Sequence, residues 1–152
     1  MKRLVSLPLL FAGVVGAGAL CAQDMPDGPG KDVVQRVCTA CHDLSPVMSM
    51  NGGADIWQSV ADDMKSRGAD GTDADFRAIV QYLSKYYGPP VHINTDAAAS
   101  LQTNLGLSDA EAAAIVKYRT DNGNFKEWAD LSKVPGLDMS KLAGLQQRIK
   151  FT

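Results

Sequence analysis

Cys38-Thr39-Ala40-Cys41-His42 is the stretch on which the reading of this chain turns. Its pattern is C-x-x-C-H. Two thiols with two residues between them reach the two vinyl groups on one edge of a porphyrin. The next residue, His42, then lies under the ring, where an imidazole nitrogen reaches the iron. The pattern is the attachment motif of a c-type haem. Two other chemistries use paired cysteines. A thioredoxin-like redox pair needs a βαβ context, which this sequence lacks. A zinc site needs four ligands. The chain has three Cys and two His, and one of those Cys lies in an N-terminal segment that reads as removable. The expectation is one covalent haem c, its ring held by Cys38 and Cys41 and its iron by His42.

That N-terminal segment agrees with the motif. Lys2 and Arg3 precede an apolar run from Leu4 to Leu20, and Ala19-Leu20-Cys21-Ala22 offers small residues for cleavage. Residues 1–22 read as a secretory signal peptide. Gly13, Gly16 and Gly18 suit a signal better than a membrane anchor, and bulky Leu20 argues against a lipid on Cys21. Covalent haem is attached outside the cytoplasm in bacteria, so a periplasmic or otherwise exported protein is expected. No later run is apolar enough to span a membrane. Removal of the signal leaves Cys38 and Cys41 alone, so no structural disulfide is expected.

The 152 residues carry a net charge of -2 and are 45% hydrophobic, enough for one medium domain or two small ones. Residues 23–30 hold two prolines and two glycines and read as a leader. Gly88-Pro89-Pro90 cannot continue a helix, which divides the chain into residues 31–87, a linker at 88–92, and residues 93–152. Residues 23–90 hold six basic and ten acidic side chains, and residues 91–152 seven of each. Neither half has the basic excess typical of nucleic-acid binding.

In the first half, Val33, Val34 and Val37 have helical spacing before the motif. Asp43 to Gly53 reads as a loop. Asp55 to Arg67 reads as a helix with Ile56, Val60 and Met64 inward and Trp57 beside them. Thr72 caps a third helix, with Asp75 closing a capping box. Phe76, Ile79, Val80 and Leu83 face inward along it, and Tyr82, Tyr86 and Tyr87 add aromatic bulk.

This order of elements, ending in the Tyr82-Leu83 pair, resembles the class I cytochrome c family over residues 31–87. The resemblance implies a small all-α wrap around one haem, a core too small to stand without it. It also implies a methionine as the sixth iron ligand, shortly before the last helix. Met64 suits that role and is the expected ligand beside His42, though it also completes the Ile56/Val60 stripe as plain core would. Met50 and Met48 lie in the loop behind His42, and His92 lies beyond the prolines. A methionine ligand would raise the reduction potential relative to a second histidine.

The second half contains a near-repeat. Leu101-x-x-Asn104-Leu105-Gly106-Leu107-Ser108-x-x-x-Ala112 parallels Leu131-x-x-Val134-Pro135-Gly136-Leu137-Asp138-x-x-x-Leu142. Each copy reads as helix, tight turn, helix. Ser108 and Glu111 form a capping box. With Ile93-Asn94-Thr95, Ile115-Val116-x-Tyr118-Arg119 and Gly123-x-Phe125, the half resembles the tandem helix-hairpin-helix module of the ComEA type, an exported DNA receptor. Such modules hold phosphates with backbone N–H groups of a Gly-apolar-Gly hairpin. Here Ser108 and Asp138 replace the second glycines, and Asp138 puts a carboxylate where a phosphate would sit. Lys117, Arg119, Lys133, Lys141 and Arg148 are the only material for a basic stripe.

Together these observations predict an all-α protein: a small cytochrome c fold around one haem, followed by a tandem helix-hairpin-helix domain. The expected function is one-electron transfer between redox partner proteins, with the second module docking or touching DNA weakly. With both axial positions filled, no substrate site and no enzyme are expected. Two alternatives follow from the same residues: a ComEA-like periplasmic DNA-binding protein carrying haem as sensor or anchor, and the electron-accepting subunit of an exported dehydrogenase.

Overall fold

The computed structural model describes residues 25–152. The expected signal peptide and the first two leader residues lie outside them. Four helices build the first half: α1 (Lys31–Cys38), α2 (Ser45–Ser49), α3 (Ala54–Ser66) and α4 (Asp73–Tyr86). Helix α4 starts where the sequence places it. The Thr72 hydroxyl accepts from the Asp75 N–H, and the Asp75 carboxylate accepts from the Thr72 N–H at 2.8 Å. The helix buries Phe76, Ile79, Val80, Tyr82, Leu83 and Tyr86. Helix α1 packs on it through Val34 and Val37, and α3 through Trp57 and Ala61.

Two expectations need correction. The stretch from Asp43 to Gly53 is not all loop, because α2 forms within it, with Pro46 in its first turn and Val47 buried. In α3 the inward pair is Trp57 and Ala61, while Ile56 is 44% exposed. The indole of Trp57 explains the rotation. Its N–H donates to the Tyr87 carbonyl at 3.1 Å, and the Gly52 N–H donates to the same oxygen at 2.9 Å. That anchor turns Ile56 outward, leaves Val60 packed at the edge of the core and leaves Met64 half-buried. The leader also packs. Met25 is buried, and the Tyr82 and Tyr86 hydroxyls donate to the Pro26 and Asp27 carbonyls.

The second half contains α5 (Ala98–Leu105), α6 (Asp109–Asn122) and α7 (Trp128–Leu131), then two 3₁₀ turns at Met139–Leu142 and Gln146–Arg148. Leu101, Leu105, Ala112, Ile115, Leu131, Val134 and Leu142 form its core around Phe125, whose ring stacks on Tyr118 at 5.3 Å. Buried Asn94 ties the half together. Its amide donates to the Phe125 and Phe151 carbonyls and accepts from the Phe125 N–H. The second repeat copy is a weaker version of the first, because a 3₁₀ turn stands where an α-helix is expected. Asp138 caps that turn, its side chain accepting from the Ser140 N–H two residues on. Gly144, at φ 78, then ends the turn.

The described residues are mainly helical, with one short exception at the junction of the halves. There β1 (Val91–His92) pairs in parallel with β2 (Ile149–Lys150), Val91 opposite Ile149. Residues 88–92, expected as a linker, thus supply a strand. Next to that strand, Arg148 is 2% exposed and donates to the Lys85 carbonyl and, twice, to the Pro89 carbonyl. The Gln147 amide donates to the Tyr86 carbonyl at 3.1 Å. The last carbonyls of α4, the negative end of its dipole, are therefore held by the C-terminal end of the second half.

Candidate functional site

Helices α1, α2, α3 and α4 and the α1–α2 loop line an apolar cavity of about 180 Å³ that opens to solvent, with Cys41, His42 and Arg67 exposed. The end of α1 brings Cys38 to its wall, and the following turn brings Cys41 and His42. Helix α3 contributes Ala61 and Met64, and α4 contributes Phe76 and Ile79. Arg67 stands at the wall as its cationic member, its guanidinium paired with Asp63 at 2.8 Å. Cys38 is half-buried, and burial pushes its thiol pKa up. Both thiols are free.

The four residues that the sequence singles out for the site thus line one cavity. The other sulfur and imidazole candidates do not. Met50 is 37% exposed, Met48 packs at the edge of the core, and His92 is exposed in β1. His42 is also oriented. Its Nδ1 lies 2.6 Å from the Asp43 carbonyl oxygen. A carbonyl only accepts, so Nδ1 carries the hydrogen, and in the neutral ring Nε2 keeps the lone pair a metal needs. Val47 and Ala69 line the cavity too, and periodicity did not point to either. Val47 arrives there because α2 forms.

The hairpin face of the second half has a different character. Gly106 and Gly136 have φ of 68 and 76, and a side chain on either would meet no atom within 4 Å. The hairpin tips are open, but the donors around them are engaged. Glu111, 6% exposed, accepts from the Ser108 N–H at 2.8 Å, the Ser108 hydroxyl at 2.6 Å and the Lys141 ammonium at 2.7 Å. Its other oxygen accepts from the Asp138 N–H at 3.3 Å. The capping box was legible in the sequence. The reach to Lys141 and Asp138 was not.

The five candidates for a basic stripe are occupied as well. Lys117 pairs with Asp121, Lys133 with Asp130, and Lys141 with Glu111. Arg119 donates to the Ile93 and Asp96 carbonyls, and Arg148 is buried at the junction.

The Glu111 network makes stability depend on pH. The Lys141 ammonium and then the Ser108 donors lower the Glu111 carboxyl from an ordinary 4.5 to about 2. A depressed folded-state pKa adds stability above the unfolded value and loses it as pH falls through the folded one. The urea midpoint is therefore expected to fall from about pH 4.5 towards pH 2, and Glu111→Gln to flatten that slope. Parallel slopes for the two proteins would show that the carboxylate is not held as described.

Comparison with known proteins bears on this second half. Residues 87–150 match the helix-hairpin-helix motif family. The chain is 34% identical over 61 residues to endonuclease/exonuclease/phosphatase family domain-containing protein 1 of Rattus norvegicus and, equally, of Mus musculus. Those matches cover 40% of this chain and 11% of each relative. It is 40% identical over 50 residues to ComE operon protein 1 of Bacillus subtilis (strain 168), covering 33% of this chain and 24% of that protein. The chain therefore spans about a tenth to a quarter of the length of these relatives. No solved structure is significantly similar to it. Among the described residues, no helix is long and apolar enough to cross a membrane. The repeat, the two open hairpin glycines and the family match agree that residues 87–150 form a helix-hairpin-helix module.

Proposed function

We propose that this protein is an exported monohaem c-type cytochrome that transfers single electrons and docks through its helix-hairpin-helix module. The observation that carries the reading is the convergence of Cys38, Cys41, His42 and Met64 on one apolar cavity. The donor set suits a c-type haem: two thiols for thioether bonds, an imidazole whose Nε2 keeps its lone pair, and the Met64 thioether among the residues lining the same cavity. Bound there, the haem iron would cycle between two oxidation states. The chain's own residues would exclude water and hold the imidazole by its bond to Asp43. We assign no reaction beyond electron transfer to the chain, and redox partner proteins would supply and take the electron.

The sixth ligand is the most direct test. Sulfur ligation to ferric low-spin haem gives a weak absorption band near the red end of the spectrum. That band is expected in the mature protein and is expected to vanish in Met64→Ala. Its survival in Met64→Ala and loss in Met50→Ala would make Met64 plain core. Its absence from the wild type would direct the search to His92.

A second reading has its own support. The helix-hairpin-helix match and the likeness to ComE operon protein 1 favour a periplasmic DNA-binding protein in which the haem is a sensor or anchor. The engaged lysines and the balanced charge of residues 91–152 place it second.

A further inference from the structure

We propose that Glu111 is an internal substitute for a phosphate, filling the donor set the two hairpins jointly present and closing this face to phosphodiesters. The repeat shows why the arrangement is specific. Aligning Gly106 with Gly136 places Ser108 opposite Asp138 and Glu111 opposite Lys141. The two equivalent positions thus carry opposite charges, and they meet as an ion pair at 2.7 Å. One carboxylate takes a hydroxyl and a backbone N–H from the first hairpin, and a backbone N–H and an ammonium from the second.

Those donors are of the type that receives phosphate oxygens at helix N-termini and hairpins. A capping box alone would explain only the Ser108 contacts. The Asp138 N–H and Lys141 come from a hairpin about thirty residues away, and both turn to the same carboxylate. Because Glu111 is covalently part of the site, a phosphodiester must displace it against its effective concentration. Its charge also repels the approaching phosphate. Glu111 is therefore a specificity-determining residue of the module. The inference does not rest on haem, and its test reads only DNA binding.

The test uses the whole mature chain, since Arg148 and β2 rest on residues 85–91. The probe is a fluorescent DNA duplex titrated over a range of salt. The wild type is expected to bind no more tightly than the non-specific range of roughly 10⁻⁴ to 10⁻⁶ M at physiological salt. Glu111→Gln keeps an oxygen for the Ser108 cap but frees Lys141. One more neutralised phosphate should tighten binding about fivefold near 0.15 M salt and steepen the salt slope by about 0.9. Adding Lys141→Ala to Glu111→Gln should erase the gain. Asp70→Asn makes the same change in net charge in the α3–α4 loop, without releasing a lysine, and should give less. The proposal is overturned if folded Glu111→Gln binds no tighter, if Asp70→Asn matches its gain, if the gain survives Lys141→Ala, or if the wild type already binds below micromolar.

Discussion

Haem is expected to stay with the protein through acid-acetone extraction and denaturing electrophoresis, and to be lost when Cys38 and Cys41 are both changed to alanine. Thioether bonds are covalent, so neither solvent nor detergent breaks them. The structural consequence should be as large as the chemical one. The cavity beside these cysteines measures about 180 Å³ and is walled by Val37, Val47, Ala61, Phe76 and Ile79. Left unfilled, that apolar wall faces water instead of a bound group, which weakens a small domain whose total stability is modest. A group that binds only the folded state adds its binding free energy to folding. The double variant should therefore lose helical circular dichroism from α1, α3 and α4 as well as the haem absorbance. Freely extractable haem in the wild type would overturn the C-x-x-C-H reading. A double variant as stable as the wild type would show that the cavity closes by itself.

Replacing Arg148 with methionine is expected to cost about 3 kcal/mol and to uncouple the two halves. Methionine keeps much of the apolar stem but removes the guanidinium. The Lys85 and Pro89 carbonyls then lose their donors in a half-buried place, where an unsatisfied acceptor costs about 1–3 kcal/mol. Burial lowers the pKa of this arginine, yet a guanidinium starts so high that it keeps its charge. That charge meets the negative end of the α4 dipole. Gly88 belongs to the same contact. A methyl group there would stand 2.5 Å from the Ser84 carbonyl oxygen and 2.6 Å from Cζ of Arg148. The carbonyl belongs to α4 and cannot give way, so Gly88→Ala should destabilise in the same direction. Native-state hydrogen exchange checks both. In the wild type, the slowest amides of α4 and α6 should share one opening free energy, and in Arg148→Met they should separate. Separate values in the wild type, or an unchanged profile in the variant, would show that the junction does not couple the halves.

Local chemistry was legible in the sequence wherever neighbours in the chain sufficed. C-x-x-C-H proposes a chemistry within five residues, and the fold brings Cys38, Cys41 and His42 to the wall of one cavity. The Thr72–Asp75 and Ser108–Glu111 caps span three residues each, and both formed as the pattern required. The repeat around Gly106 and Gly136 identified the hairpins, since a positive φ at those turns calls for glycine. Periodicity also placed the buried face of α4, because a long helix with one apolar side has one way to lie.

Contacts distant in the chain were decided only by the tertiary structure. Helix α3 carries two apolar stripes one residue apart, and periodicity alone does not choose between them. The choice came from the Trp57 indole meeting a carbonyl thirty residues away. The proline pair predicted a break in the helix and did supply one. That β1 would form beside it depended on a strand at the opposite end of the chain. Met64, Met50, Met48 and His92 remained alternatives in the sequence, and packing brought only Met64 to the cavity. Charge counting balanced the second half at seven against seven, but it could not show that Lys141 and Glu111 neutralise each other at the hairpins. The physical reason is the same in each case. Caps, turns and motifs are set by interactions along a few residues of backbone, whereas helix rotation and ion pairing are set by groups that only folding brings together.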